Sequence, residues 1–273
     1  MCIRDSDKVE GTDSPLGGAK RGKNTSMWLA IDSVKNKKSD IVISAGNTGA
    51  LMAISKFVLK TLNGINRPAI AGLMPTMKGQ TVILDLGANV DCSNDNLVQF
   101  ALMGDIFSQA VLGIQKPKIG LLNVGSELIK GNEMVKQTHS DLTKIDKKIN
   151  FHGFVEGNDI NKGIVDVVVT DGFTGNVALK TLEGTAKAIV KALFSAFSNS
   201  EDAKAGADLL GPSLLPLYHK LDPDSVGGAV LLGVNGIAIV SHGSSSANAS
   251  LTAIKTAHQL YEDNHGAKLQ SVL

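Results

Sequence analysis

A chain of 273 residues with 27 Lys and Arg against 26 Asp and Glu carries a net charge of +1, so its total charge favours neither nucleic acid nor an acidic surface as partner. Its 43% apolar content allows a real core, and its 4% aromatic content argues against base-stacking platforms. Two cysteines without metal spacing, no apolar run long enough to cross a bilayer and no visible signal peptide suit a reducing cytosol, and the length allows one large α/β domain or two smaller ones.

Met1 to Gly22 is polar and unperiodic. Gly17 to Lys23 comes near a phosphate-binding P-loop, but Asn24 stands where Ser or Thr is needed and no strand precedes it, so it is set aside. A helix is predicted from about Ser26 to Lys35. Repeated units of strand, polar Gly-rich turn and helix follow. Asp40 to Ser44 leads through Ala45-Gly46-Asn47-Thr48-Gly49 into a helix ending near Leu62. Thr81 to Leu86 leads through Gly87-Ala88-Asn89-Val90-Asp91 to a helix over about Asn94 to Leu112. Lys118 to Val124 leads through Gly125-Ser126-Glu127 to Lys130-Gly131 at the start of another helix. A shorter strand runs from Phe151 to Glu156. Val167 to Thr170, a β-branched run, leads through Asp171-Gly172-Phe173-Thr174-Gly175-Asn176 into a helix carrying Val177, Leu179, Leu182 and Ala186 at helical spacing. Gly236 to Ser241 leads through His242-Gly243 to a helix over about Ala247 to Tyr261.

This alternation predicts a three-layer α/β/α fold around a mostly parallel sheet, with ligands bound beyond the strand C-termini. Unpaired N–H groups and the positive helix dipole welcome an anion there. Each of Asn47, Thr48, Asn89, Asn123 and Asn176 is more often a cap or turn residue by itself. Together they read as one polar cleft, with Asn47, Thr48 and Gly49 facing Asp171 to Asn176 across a shared phosphate site.

Ser198 to Lys204 is polar, and Leu209, Leu210, Leu214, Leu215, Leu217, Tyr218 and Leu221 crowd together around Pro212 and Pro216. A helical apolar protrusion over about Ser198 to Leu221 is expected, used against a second subunit, the domain body or a membrane. There is no G-x-G-x-x-G, no G-x-S-x-G and no histidine–carboxylate cluster. Cys92 reads as a small buried thiol before it reads as a nucleophile.

Six stretches taken in order resemble the PlsX family, the phosphate acyltransferases of bacterial phospholipid synthesis. They are Ser44 to Met52, Leu84 to Asn89, Gly120 to Gly125 with Lys130-Gly131, Asp171 to Asn176, Gly227-Gly228-Ala229 and Ser241-His242-Gly243. The resemblance runs from about Gly22 to the C-terminal helix. It implies transfer of a long-chain acyl group from acyl carrier protein to inorganic phosphate, giving acyl phosphate. It further implies a fold similar to isopropylmalate dehydrogenase and phosphotransacetylase, a homodimer, and a cytoplasmic enzyme that visits the inner face of the plasma membrane. No cofactor, metal or nucleic acid is expected. The family begins with a strand carrying Asp-Ala-Met-Gly-Gly-Asp, absent here, and Met1 to Ser6 fits nothing in it. One acyltransferase domain over 1–273 is therefore expected, shortened at its N-terminus, with non-native residues at 1–6.

The chemistry asks little of the protein. Inorganic phosphate is itself a nucleophile near neutral pH, its second pKa lying near the value of about 6 for a phosphomonoester. A thiolate leaving group, of pKa about 8.5 for a simple thiol, needs little acid help. Holding phosphate against the thioester and stabilising the oxyanion remain. Lys130 is expected to do the first and Asn176 the second. Asn47, Thr48, Gly49, Asp85, Asn89, Asn123, Gly125, Glu127, Asp171, Gly172, Thr174, Gly175, His242 and Gly243 are expected to line the substrate site. The runners-up are a coenzyme A phosphotransacetylase or an NAD-dependent decarboxylating dehydrogenase of the same architecture, and a non-catalytic fragment. The dehydrogenase would need clustered carboxylates, and Asp85, Asp91, Glu127 and Asp171 are dispersed.

Overall fold

The computed structural model describes residues 6–20, 22–145, 148–221, 228–241, 243 and 245–272. Gly227 and His242, and the side chains of Leu217, Tyr218 and Leu221, lie outside this description. In chain order the elements are α1 (Pro15–Lys20), α2 (Ser26–Lys35), β1 (Ile41–Ser44), α3 (Thr48–Val58), β2 (Ala69–Thr76), β3 (Gly79–Leu84), α4 (Asn94–Leu112), β4 (Lys118–Leu122) and α5 (Glu133–Lys144). Then come β5 (Asn150–Val155), α6 (Gly157–Lys162), β6 (Val167–Val169), α7 (Gly172–Phe197), α8 (Glu201–Leu221), β7 (Ala229–Leu232), β8 (Ile237–Val240), α9 (Ala247–Glu262) and α10 (His265–Val272).

The strands form one sheet in the order β1-β8-β7-β2-β3-β6-β4-β5. Four of its seven pairings are parallel, so the expected mostly parallel sheet is present. Two strands that the repeat pattern passes over, β2 and β7, are the antiparallel ones. They pair with each other, β2 with β3 and β7 with β8. Both belong to hairpins whose turns carry left-handed glycines, Gly79 at φ 135° and Gly233 and Gly236 at φ 87° and 153°. Their consequence is a reversal: β1, β8 and β2 run one way, while β7, β3, β6, β4 and β5 run the other.

Side chains alternate across the strands and feed two cores. Leu84, Val167 and Val169 face Leu97, Phe100, Met103 and Phe107 of α4, with α5, α9 and α10 on the same side. Ile83 and Val168 face Ile31 of α2 and Leu51 and Ile54 of α3 on the other. α4 comes close enough to the sheet that a Cβ on Gly104 would stand 2.6 Å from Val167. α7 is different. Of its 26 residues only Gly172 and Gly175 are buried. Leu179 and Leu182 touch the core, and beyond them Ile189, Leu193 and Phe194 are exposed. α8 packs on α7 and runs through Pro212 and Pro216, with Leu209, Leu210 and Leu215 exposed.

Two buried titratable groups give the fold opposing acid dependences. His265 lies edge-on to Phe107 with centroids 6.0 Å apart, and neither ring nitrogen has a hydrogen-bond partner among the described residues. Burial pushes its pKa down to about 4. On α4, burial pushes Asp105 up to about 6, against a hydrogen bond donated by Gln109 at 2.8 Å. Between the unfolded histidine value of about 6.5 and pH 4 the unfolded chain takes up a proton that folded His265 refuses, so stability falls as pH falls through that window. Asp105 acts oppositely, taking its proton in the folded state first as pH drops below about 6. His265→Phe removes the first effect and keeps the second. The variant should gain on the parent protein as pH falls from 7 to 4, by about 3 kcal/mol at most. Urea midpoints at both pH values check this, and parallel shifts in the two proteins would refute it.

Candidate active site

The reversal of the sheet divides the expected cleft. The turns after β3, β6 and β4 leave neighbouring parallel strands on one sheet edge, about 4.8 Å from strand to strand. The turns after β1 and β8 leave the opposite edge. Asn47, Thr48 and Gly49 therefore do not share a strand-end site with Asp171 to Asn176, and that expectation is corrected. It failed because it assumed that all the strands run one way.

The turn after β1 has structural work of its own. Asn47 caps α3, accepting from Ala50 N–H at 2.9 Å, and its amide donates to the carbonyls of Glu10, Gly11 and Asp13 at 3.2, 3.2 and 2.9 Å. A Cβ on Gly49 would meet Pro15 at 2.7 Å. The segment around residues 10–15 thus covers this turn, leaving Thr48 exposed on the first turn of α3. A Cβ on Gly243 would stand 3.5 Å from the Ala45 carbonyl, so Gly243 belongs to the same group.

At the other edge Asp85 is the hub. Its fully buried carboxylate accepts from Ile70, Gly87 and Ala88 N–H on Oδ1, and from Asn89 N–H and the Asn89 amide on Oδ2, at 2.7 to 3.2 Å. Burial pushes its pKa up, and donors from Ala88, Ile70 and Asn89 oppose that. Five donors on two oxygens leave no lone pair for a proton, so they hold it as the anion. Asn89 is spent here, its amide also donating to Pro68 carbonyl at 2.8 Å. Asp85 and Asn89 shape the turn rather than present groups to a ligand.

α7 docks its first turn on that hub. Gly172 N–H donates to Asn89 carbonyl at 2.8 Å, where a Cβ would meet the Asn89 backbone at 2.6 Å, and a Cβ on Gly175 would collide with the Asp85 carbonyl. Asp171 caps the helix, accepting from Thr174 N–H and from its hydroxyl at 2.8 Å each. Two of the helix-end N–H groups and Thr174 are therefore engaged, so this helix end is less open to an anion than its sequence implies. Asn176 is not. It is exposed, lies against Gly87 and makes no side-chain hydrogen bond among the described residues.

The turn after β4 is closed by Asn123, whose amide donates to the carbonyls of Gly125 and Lys130 at 3.0 and 3.2 Å. Gly125 has no Cβ to obstruct the Lys130 side chain lying over it. The Lys130 ammonium rests 3.0 Å from Glu127, and this contact holds the Glu127 carboxyl below its usual range. Asn123 and Gly125 are scaffold, while Lys130 is half-exposed and available once Glu127 yields it.

The description "Fatty acid synthesis protein" matches residues 1–268. The chain belongs to this family. The phosphate acyltransferase of Paramagnetospirillum magneticum is 51% identical over 251 residues, spanning 92% of this chain and 72% of that relative. The one from Rhodospirillum centenum is 49% identical over 267 residues, spanning 98% and 75%. Among solved structures, a phosphotransacetylase from Streptococcus pyogenes matches with a TM-score of 0.60 at 19% identity, over 89% of this chain and 69% of that one. EutD phosphotransacetylase from Staphylococcus aureus matches at 0.57 and 15%, over 92% and 72%. These structures share the fold, which agrees with the expected architecture.

In this member of the Fatty acid synthesis family two further groups adjoin the Asp85 turn. The Cys92 thiol donates to Asn89 carbonyl at 3.6 Å, and burial, then the charge of Asp85, push its pKa up to about 11. It stays a thiol at neutral pH and is no nucleophile. Arg67 was missed by sequence reasoning. One of its guanidinium nitrogens donates to Asp91 carbonyl at 3.0 Å, and its charge acts on Cys92. The signal was there: a lone Arg before Pro68, at the mouth of an apolar run that reads as a strand once the hairpin is recognised. Among the described residues no cluster of His, Cys, Asp and Glu could hold a metal ion.

Proposed function

We propose that the chain is a phosphate acyltransferase, moving a long-chain acyl group from acyl carrier protein to inorganic phosphate. What supports the reading is Asn176, an unengaged amide at the docked end of α7, on the same sheet edge as Lys130 and in a chain half identical to proteins named for this activity. A phosphate oxygen attacks the thioester carbonyl. The Asn176 amide donates to the oxyanion that forms, and collapse releases the carrier's thiolate. Lys130 and Arg67 offset the phosphate charge, with phosphate replacing Glu127 on the Lys130 ammonium. Asp85, Asn89, Asn123 and the glycines act by holding these turns in place. The test is acyl phosphate formation from acyl-carrier-protein thioester with and without phosphate, beside the coenzyme A thioester. Preference for coenzyme A would move the reading to a phosphotransacetylase, and phosphate binding without turnover to a non-catalytic protein.

The α7–α8 hairpin is the surface for self-association, with peripheral contact at the inner face of the plasma membrane as its second use. Its exposed Ile189, Phe194, Leu209 and Leu215 support this, while no helix among the described residues is long and apolar enough to cross a membrane. Leu210→Asp with Leu214→Asp should weaken the dimer in sedimentation or lower binding to anionic vesicles. If both measurements stay unchanged, the hairpin has neither role.

A further inference from the structure

A cavity of about 470 Å³ opens beside the turn that carries Lys130, between that turn, α5 and the end of β5. Its size falls in the usual range of about 300–1,000 Å³ for small-molecule sites. The floor is aromatic: the His139 ring lies 4.4 Å from Phe154 and 5.2 Å from Phe151, centroid to centroid. Burial pushes the His139 pKa down, so the ring is uncharged at pH 7 and offers its face to an alkyl chain. Leu128 forms one wall and the stems of Lys136 and Lys144 the rim. Those two ammonium groups pair with Glu133 and Asp141 at 3.1 and 2.8 Å, and no carboxylate is among the described residues that line the cavity.

The turn above is unusually apolar for a solvated loop. Val124, Leu128 and Ile129 are 78%, 67% and 84% exposed, within a few residues of the half-exposed Lys130. We propose that this cavity takes the alkyl chain of the acyl thioester, with Leu128 and Ile129 as its cover. The inference rests on the acyltransferase reading, which requires a long alkyl chain to leave water beside the phosphate-binding lysine. Each methylene buried there tightens binding about fourfold. The polar pantetheine arm of a carrier is a poorer fit, since the Lys136 and Lys144 ammonium groups are already paired with Glu133 and Asp141 and few other polar groups line the cavity.

Thr143→Trp tests this, because Thr143 is exposed on α5 and an indole there takes up part of the cavity without entering the core. The ratio of kcat/KM for palmitoyl- over butyryl-carrier thioester should fall about tenfold or more. Leu128→Ala should lower it in the same direction by less. An unchanged ratio overturns the proposal. So does an equal loss for both thioesters, which would mean that the cavity holds the arm or the carrier. If the unsubstituted protein turns over neither thioester, the functional reading fails separately. A second measurement needs no turnover: cis-parinaric acid, a fluorescent long-chain fatty acid, should bind the unsubstituted protein and lose that binding in Thr143→Trp. Binding that is absent, or unaffected by the substitution, overturns the alkyl subsite.

Discussion

Asp85→Asn should destabilise the fold by about 3 kcal/mol or more, the largest stability effect expected from any single polar substitution here. The carboxylate is fully buried and accepts from five N–H donors. An amide keeps the size but turns an NH2 toward donors, leaving backbone N–H groups of the 87–89 turn without their acceptor. The damage spreads by contact. Gly172 donates to Asn89 carbonyl, and Gly175 fits only because the Asp85 carbonyl can lie where a Cβ would be. α7, and with it Asn176, should therefore lose its seat before the sheet melts. Urea unfolding followed by far-UV circular dichroism measures the first effect, and faster amide exchange at Gly172 to Asn176 the second. A variant within about 1 kcal/mol of the parent protein would mean that Asp85 does not organise this edge.

Much of this architecture is legible from residue pattern because local and tertiary preferences agree. α4 begins and ends where its sequence predicts, since Ser93 and Asn96 form a capping box and Gly113 closes the helix at φ 70°. Val167 to Val169 is fully buried, as its β-branched run implies. The reversal of the sheet was harder to read. β2 mixes Ala, Gly72 and Pro75 without clean alternation, and β7 is four residues long, so neither stands out beside the strand–turn–helix repeat. The site was blurred for a different reason. Asn caps helices, closes turns and donates to ligands with the same amide, and only the fold decides which. Asn47 holds the N-terminal segment, Asn89 the Asp85 carboxylate and Asn123 its own loop, whereas Asn176 alone of the four has its amide unengaged among the described residues. Arg67 escaped notice because the strand it precedes did.

Asn176→Ala should leave the fold intact and lower turnover on the order of a hundredfold or more. The side chain is exposed and bonds to nothing described, so its removal leaves no buried group unpaired. A donor aimed at a developing oxyanion contributes chiefly in the transition state, so kcat should carry the loss while KM for phosphate moves little. Lys130→Ala gives the contrasting pattern. Its ammonium now rests on Glu127 at 3.0 Å, and phosphate must take Glu127's place. Removing it should raise KM for phosphate about tenfold or more, the usual scale of a hydrogen bond to a charged group. Salt should blunt the difference between Lys130→Ala and the parent protein, but not that of Asn176→Ala, because only the first is an exposed charge effect. Matched thermal unfolding of the variants guards against a folding defect. Near-normal acyl phosphate formation and near-normal phosphate dependence in both variants would remove Asn176 and Lys130 from these roles, leaving Arg67, whose guanidinium stands beside the same turn, as the next group to replace.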